Sequence, residues 1–332
     1  MDRREFMELA IGGLAAGALA ACGARAARGP AAGGVTTNAA AFGAARRMVE
    51  TRFGKIAYVE RGEGSAALFI HGFPLNGFQW RGALDRLSMY RRCIAPDLMG
   101  MGYTEIPDGQ SVAAGAQAEM LVAVLDALSI SAVDLVANDS GGAVAQILVA
   151  RHPARFRTLL LTNCDTENDS PPPALFPGIH QARAGRWVDE WLAPQLADKN
   201  FCRSEKGLGG GAYTDPARLT DEAIDYYFAP ILSSPRRKAQ GDAYCAALLP
   251  NPLAGIQPLL QRCEVPVRIV WGTGDLVFSA ANPDYLARTF PKSRGVRRIP
   301  GAKLFFPEEL PDIIAEDARR LWGAGEHGLA PR

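Results

Sequence analysis

A series of short apolar runs, each closed by turn residues, limits the folds open to this chain more than any other feature. The runs are "AALFI" (66–70), "RCIAPD" (92–97), "AVDLVA" (132–137), "TLLLTN" (158–163) and "VRIVWG" (267–272). Runs this short and continuous suit strands whose two faces are both covered, the setting of a parallel sheet. "KIAYVERG" (55–62) instead alternates apolar and polar residues, as an antiparallel, half-buried strand does. Between the runs the period changes. In "AQAEMLVAVLDAL" (116–128), Met120, Leu121, Val124, Leu125 and Leu128 share one helical stripe, and in "AVAQILVARH" (143–152) Val144, Ile147 and Leu148 do the same. The repeated alternation of strand and helix predicts the α/β class, a central and mostly parallel sheet flanked by helices. Residues 165–257 break the pattern: Pro-rich at the start ("SPPPALFPG"), Gly-rich in the middle ("GLGGGAY") and helical in texture. They predict a helical cap inserted into a core made of residues 46–164 and 258–324, with a polar tail over 325–332.

The first residues have a different character. "MDRREFMELAIGGLAAGALAACGA" has paired arginines (Arg3, Arg4) followed by a weakly apolar stretch too short to span a bilayer, and it resembles a twin-arginine export signal over residues 1–22. "LAAC" (19–22) resembles a lipobox, which implies lipidation of Cys22; ordinary cleavage near Ala20 or Ala21 is the alternative. Low complexity over residues 23–45 predicts a flexible tether. An exported protein of the bacterial periplasm or cell envelope is expected, touching the membrane only through a lipid on Cys22. The net charge of +1 gives no reason to expect nucleic acid as a partner. The 6 cysteines form no C-x-x-C pair and lie far in sequence from the 4 histidines, so neither a metal site nor any other cofactor is indicated. A small-molecule substrate is the expected partner, and oligomeric state is not readable.

"DLVANDSGGAVAQ" (134–146) carries two candidate nucleophiles side by side, Asp139 and Ser140. A strand running into a sharp turn and then a helix is the setting of a nucleophile elbow, which demands small residues two before and two after the nucleophile. Centred on Asp139 those positions are Ala137 and Gly141; centred on Ser140 they are Asn138 and Gly142. Asn fits the crowded position poorly, so Asp139 is the expected elbow. An ordinary N-cap aspartate is the competing reading of that residue.

Taken with "LFIHGFPLNGFQWR" (68–81), "APDLMGMGYT" (95–104) and "VWGTGDLVF" (270–278), this segment resembles the α/β-hydrolase fold in its haloalkane dehalogenase and epoxide hydrolase branch. The resemblance covers about residues 48–322. It implies that Asp139 is a carboxylate nucleophile that forms an alkyl ester. It implies further that the backbone N–H groups of Phe73 and Ser140 form an oxyanion hole, and that Asp275 is the acid that orients a catalytic histidine.

Two positions depart from that pattern. "VRRIPGAKLFFPEELPD" (296–312) has Leu304 where the resemblance calls for the histidine. Ser140 stands where dehalogenases of this branch place a halide-binding Trp. Of the histidines, His71 belongs to the "HGFP" turn, His152 ends a helix, His327 is in the tail and His180 is in the cap. Lys303, Glu308 and Glu309 are further candidates for a base. Trp80, His180 and Leu304 stand as candidates for substrate contact, with Trp187 and Trp191 as pocket or core residues, and the cap tyrosines Tyr213, Tyr226, Tyr227 and Tyr244 as acids or packing residues. The expectation is a hydrolase of small carbon–halide, epoxide or ester substrates with an unconventional or impaired base. A ligand-binding protein that keeps the pocket and a lyase on the same fold are the alternatives.

Overall fold

The computed structural model describes residues 37–323. The expected export signal with Cys22, most of the tether, His327 and the tail lie outside the described residues. Eight strands form one sheet: β1 (Arg46–Thr51), β2 (Gly54–Arg61), β3 (Ala66–Ile70), β4 (Arg92–Pro96), β5 (Val133–Asp139), β6 (Phe156–Cys164), β7 (Val267–Gly272) and β8 (Ser293–Ile299). Their order is β1-β2-β4-β3-β5-β6-β7-β8. β2 pairs antiparallel with β1 and β4, and all other pairings are parallel. Every residue of β3 and β5 is buried, which is why both read as unbroken apolar runs. β1 ("RRMVET") and β8 ("SRGVRRI") show no such run. They are the two edges, half exposed, and their charges suit strands that must not pair further.

The flanking helices before the insertion are α1 (Ala39–Ala44), α2 (Arg81–Leu87), α3 (Ala114–Ala127) and α4 (Ser140–Arg151). Between β6 and β7 lie α5 (Phe176–Arg183), α6 (Ala193–Ala197), α7 (Lys199–Arg203), α8 (Leu208–Ala212), α9 (Asp221–Leu232) and α10 (Pro235–Ala246). A π-helical turn over Val188–Leu192 precedes α6. α11 (Gln257–Leu260) leads back to the sheet, and α12 (Asn282–Thr289), α13 (Phe306–Glu309) and α14 (Pro311–Leu321) complete it. None of these helices is long and apolar enough to cross a membrane. Cys93, Cys164, Cys202, Cys245 and Cys263 are all buried free thiols.

The tether expected over 23–45 must be shortened. Asn38 caps α1 through its side chain, and Thr37 donates to the Asp85 carboxylate. Phe42 is fully buried, its ring meeting Phe78 at 5.2 Å and Tyr226 at 5.9 Å. Low complexity concealed one aromatic anchor among alanines, and alanine is itself the strongest helix former.

The order of the strands reverses at β3, whose successor β4 lies on one side and β5 on the other. In open α/β sheets the crevice at the carboxyl ends of the strands, beside such a reversal, is where ligands bind. The loops after β3, β5, β6 and β7 meet there, beneath the inserted helices.

Candidate active site

The turn after β5 is centred on Asp139, which has φ +55° and ψ −135°, a left-handed conformation that costs a non-glycine residue about 1–3 kcal/mol. The surroundings leave it no alternative. A Cβ on Gly141 would lie 2.5 Å from the His71 carbonyl oxygen and 2.8 Å from that of Ile70, and a Cβ on Gly142 would lie 2.3 Å from the Cys164 Cβ. α4 therefore rests directly on the ends of β3 and β6. Gly141→Ala is expected to cost about 1–3 kcal/mol of stability, the usual penalty of overpacking, because both colliding atoms are backbone. A denaturant midpoint unchanged from wild type would show that this corner can relax around an added methyl group.

Asp139 does not cap α4 in the ordinary way. An N-cap side chain bonds the second or third N–H of its helix, whereas Asp139 Oδ1 accepts from the first, Ser140 N–H. The Phe73 N–H also donates to this carboxylate. The carboxylate thus rests on the two donors that the oxyanion-hole expectation named. Burial, followed by the neighbouring Asp165 charge and then Asp275, raises the Asp139 carboxyl well above the usual range, while those two N–H groups oppose the rise.

Asp275 is gripped from several sides. Val277 N–H and Phe278 N–H donate to Oδ1 (2.7 and 3.2 Å), and Asn163 Nδ2 donates to Oδ2 (2.6 Å). Asn163 also bonds both backbone groups of Gly272 (2.7 and 3.0 Å), so β6 orients the acid at the end of β7. One residue before the elbow, Asn138 joins the remaining loops. Its Nδ2 donates to Thr162 Oγ1 (2.9 Å), Asn163 O and Leu304 O (both 3.1 Å), and its Oδ1 accepts from Gln79 Nε2 (2.7 Å). Gln79 Oε1 in turn accepts from Gly72 N–H (2.9 Å) beside Phe73.

A cavity of about 120 Å³ opens above Asp139. Its walls include Phe73, Trp187, Trp191, Leu208, Val277 and Leu304, and Glu205 and Lys206 stand at the exposed rim. The aromatic side is a continuous slab, with Phe73 to Trp187 at 4.8 Å and Trp187 to Trp191 at 5.2 Å. Among the described residues no histidine lines this cavity.

The expected substrate contacts divide. Leu304 lines the cavity. Trp80 does not, and must be reassigned to the core: it is fully buried against Phe69 at 5.7 Å. His180 points to solvent from α5 and is likewise withdrawn from the site. His71 is structural. Its Nδ1–H donates to Gly72 O and its Nε2 accepts from Leu98 N–H, both at 2.9 Å, and burial lowers its pKa to about 4. His152 pairs with Glu119 at 3.0 Å.

The other candidate bases are occupied as well. Glu308 accepts from Arg81 and from Tyr213 OH, both at 2.6 Å, Glu309 accepts from Thr214 and Asp215 N–H, and Lys303 Nζ donates to Gly210 O. These bonds tie the loop carrying Leu304 to the inserted helices. Asn138, Gln79 and Asn163 were absent from the expected site. A polar residue inside an otherwise apolar strand end was the only available signal for Asn138 and Asn163.

A strained acid on a strand–turn–helix corner, at the carboxyl edge of a mostly parallel sheet and under inserted helices, defines a hydrolase-type elbow. The sequence model of the alpha/beta hydrolase fold matches residues 68–310, and the chain belongs to that family. It is 26% identical over 289 residues to haloalkane dehalogenase 2 of Mycobacterium tuberculosis, covering 81% of this chain and 92% of that protein. Haloalkane dehalogenase DbeA from Bradyrhizobium elkani superposes with a TM-score of 0.68 at 24% identity, over 84% of this chain and 98% of the other. Epoxide hydrolase CorEH superposes with a TM-score of 0.67 at 20% identity, over 84% and 98%.

Proposed function

We propose that this protein hydrolyses small, largely apolar electrophiles of the carbon–halide, epoxide or ester type, with Asp139 as the nucleophile. The observation that carries the reading is Asp139 itself: a strained, buried carboxylate resting on two backbone N–H groups and facing an apolar cavity. Similarity to a haloalkane dehalogenase over most of both chains supports it.

In this mechanism an Asp139 oxygen attacks an electrophilic carbon; a halide departs or the epoxide opens and an alkyl ester joins substrate to enzyme, whereas attack on the carbonyl of an ester expels its alkoxide and leaves a mixed anhydride. Water then attacks the ester at Cγ, and the Phe73 and Ser140 N–H groups hold the oxyanion of the tetrahedral species. An apolar cavity of about 150 Å³ holds benzene, so a cavity of about 120 Å³ suits substrates of about the size of bromobutane. Leu304 occupies the position of the histidine base, which favours a second reading: a pocket that traps its ligand as a lasting ester. Residues 1–22 suggest that either activity is exercised after export.

The test is incubation with 1-bromobutane, 1,2-epoxybutane and methyl propanoate, following product release and intact protein mass together. Product without a persistent adduct supports the hydrolase. A stable adduct mapped to Asp139 supports the trap. Absence of both product and adduct across the whole panel would remove Asp139 as nucleophile for these classes.

A further inference from the structure

With no histidine lining the cavity among the described residues, the chemistry needs another group to activate the water that releases the ester. The pairing of β5 with β6 supplies a candidate. In that parallel pair Asp139 lies opposite Cys164, and parallel neighbours are about 4.8 Å apart. The next residue, Asp165, therefore emerges beside the nucleophile, on the loop that leaves β6.

That loop is firmly held. Gln146 Nε2 donates to Asp165 O (2.8 Å) and to Gly142 O (3.0 Å), tying it to the first turn of α4. Ser170 Oγ donates to Asp165 Oδ1 at 2.7 Å, and Asp169 N–H closes the turn onto Thr166 O at 3.0 Å. Asp169 in turn accepts from Ser279 N–H and Asn282 Nδ2 (2.7 and 3.0 Å).

Beside the elbow, and sharing Leu248 with the wall of the main cavity, lies a small hollow of about 10 Å³. It is lined by Asp165, Ser140 and Tyr244 together with the apolar Val112, Ala143 and Leu248. The Ser140 and Tyr244 hydroxyls are 3.1 Å apart, and the Tyr244 ring stacks at 5.0 Å on Phe73, whose N–H holds Asp139, so the hollow adjoins the groups that support the nucleophile. A buried water needs a hollow of about 10–15 Å³ and two to four polar partners. This one offers the room of roughly one water and three polar side chains.

We propose that Asp165, with the Ser140 and Tyr244 hydroxyls, binds the hydrolytic water and acts as its general base. The proposal rests on the Asp139 ester mechanism above. In the step, Asp165 takes one proton from the water, whose oxygen bonds to Cγ of the Asp139 ester. The tetrahedral oxyanion collapses, the bond from Cγ to the bridging oxygen with which Asp139 attacked breaks, and the departing alkoxide takes the proton from Asp165. The alcohol leaves, and Asp139 has gained its new oxygen from water.

Burial raises the Asp165 carboxyl to about 7, the range in which a carboxylate serves best as a base near neutral pH. The titratable groups facing it are Asp169 in its own turn, Asp139 on β5, Cys164 on β6 and Tyr244 on α10.

The test compares wild type with Asp165→Asn on whichever panel probe labels or turns over, separating ester formation from ester release by mass. Asp165→Asn is expected to slow release by about 10²-fold, the lower end of general-base effects, so that the adduct on Asp139 accumulates. The wild-type release rate should climb as pH rises through 7, and the variant should lose that limb. Tyr244→Phe, a milder change, should also slow release and leave the adduct visible. Release by Asp165→Asn at the wild-type rate, or with the wild-type pH limb intact, overturns the base assignment while leaving the nucleophile standing. Absence of any adduct or product in all three proteins overturns both. If Asp165→Asn fails to fold, normal release by Tyr244→Phe is sufficient to reject the water site.

Discussion

Asp139→Asn is expected to lower turnover by about 10⁴-fold, the scale seen when one member of a nucleophilic assembly is removed, and at the same time to stabilise the protein. The variant keeps an oxygen that can accept from the Phe73 and Ser140 N–H groups but loses the charge. In wild type the Asp139 carboxyl is raised by burial and by the Asp165 and Asp275 charges. A raised folded-state value means that folding favours the protonated form. Stability is therefore fully present below the unfolded value of about 4 and is lost as pH rises through the folded value. Asp165, raised to about 7, adds a loss in the window between about pH 4 and 7. The Asp139→Asn variant should escape the first of these losses. Its melting temperature should exceed that of wild type by about 2–4 °C at pH 8, a shift equivalent to about 1 kcal/mol in a domain of this size, and should match wild type near pH 4. Thermal melts at the two pH values check this. A destabilised variant at pH 8 would show that the buried charge is compensated by contacts beyond the two N–H groups.

The second large effect is expected at Leu304. Leu304→His should speed release of the Asp139 ester by about 10²-fold, a typical contribution from a positioned base. The backbone there is already fixed: Leu304 O accepts from Asn138 Nδ2 at 3.1 Å, and Phe305 N–H donates to Ala212 O at 2.9 Å. A histidine side chain would enter the same cavity wall. Single-turnover mass measurements read the effect directly, and it should be largest in the Asp165→Asn background, where the native route is removed. An unchanged release rate in a folded variant would mean that an imidazole at 304 does not reach the ester.

Both effects turn on how little freedom this region has. Asn138 bridges the elbow, β6 and the Leu304 loop, while Gln79 couples the same residue to Gly72 beside Phe73. Arg81, Glu308 and Tyr213 form a buried polar link between that loop and the inserted helices. A satisfied network of this kind rigidifies the groups that it joins.

The legible part of the fold was the part with local causes. The fully buried strands could be read from apolar runs because both of their faces are covered. The elbow could be assigned to Asp139 over Ser140 because steric crowding acts within two residues of the turn, and φ +55° at Asp139 is its signature. The edge strands β1 and β8 escaped notice because an edge is half solvated and tolerates charge. α1 was concealed by its composition, since a single buried Phe42 holds it in place.

The site was less legible because its parts are joined by long-range contacts. Trp80 resembled a pocket aromatic until packing placed it against Phe69, and the ring of His71, in the "HGFP" turn, has both nitrogens engaged in hydrogen bonds. No local pattern marks Asp165 as a neighbour of Asp139. They meet because β5 and β6 are adjacent and pair with Asp139 opposite Cys164. The sequence alone determined where the corner must turn and which residue sits on it, because backbone sterics are local. Only the tertiary structure decided which acids surround that residue and which side chains line its cavity, because strand order and register bring together residues that the chain keeps apart.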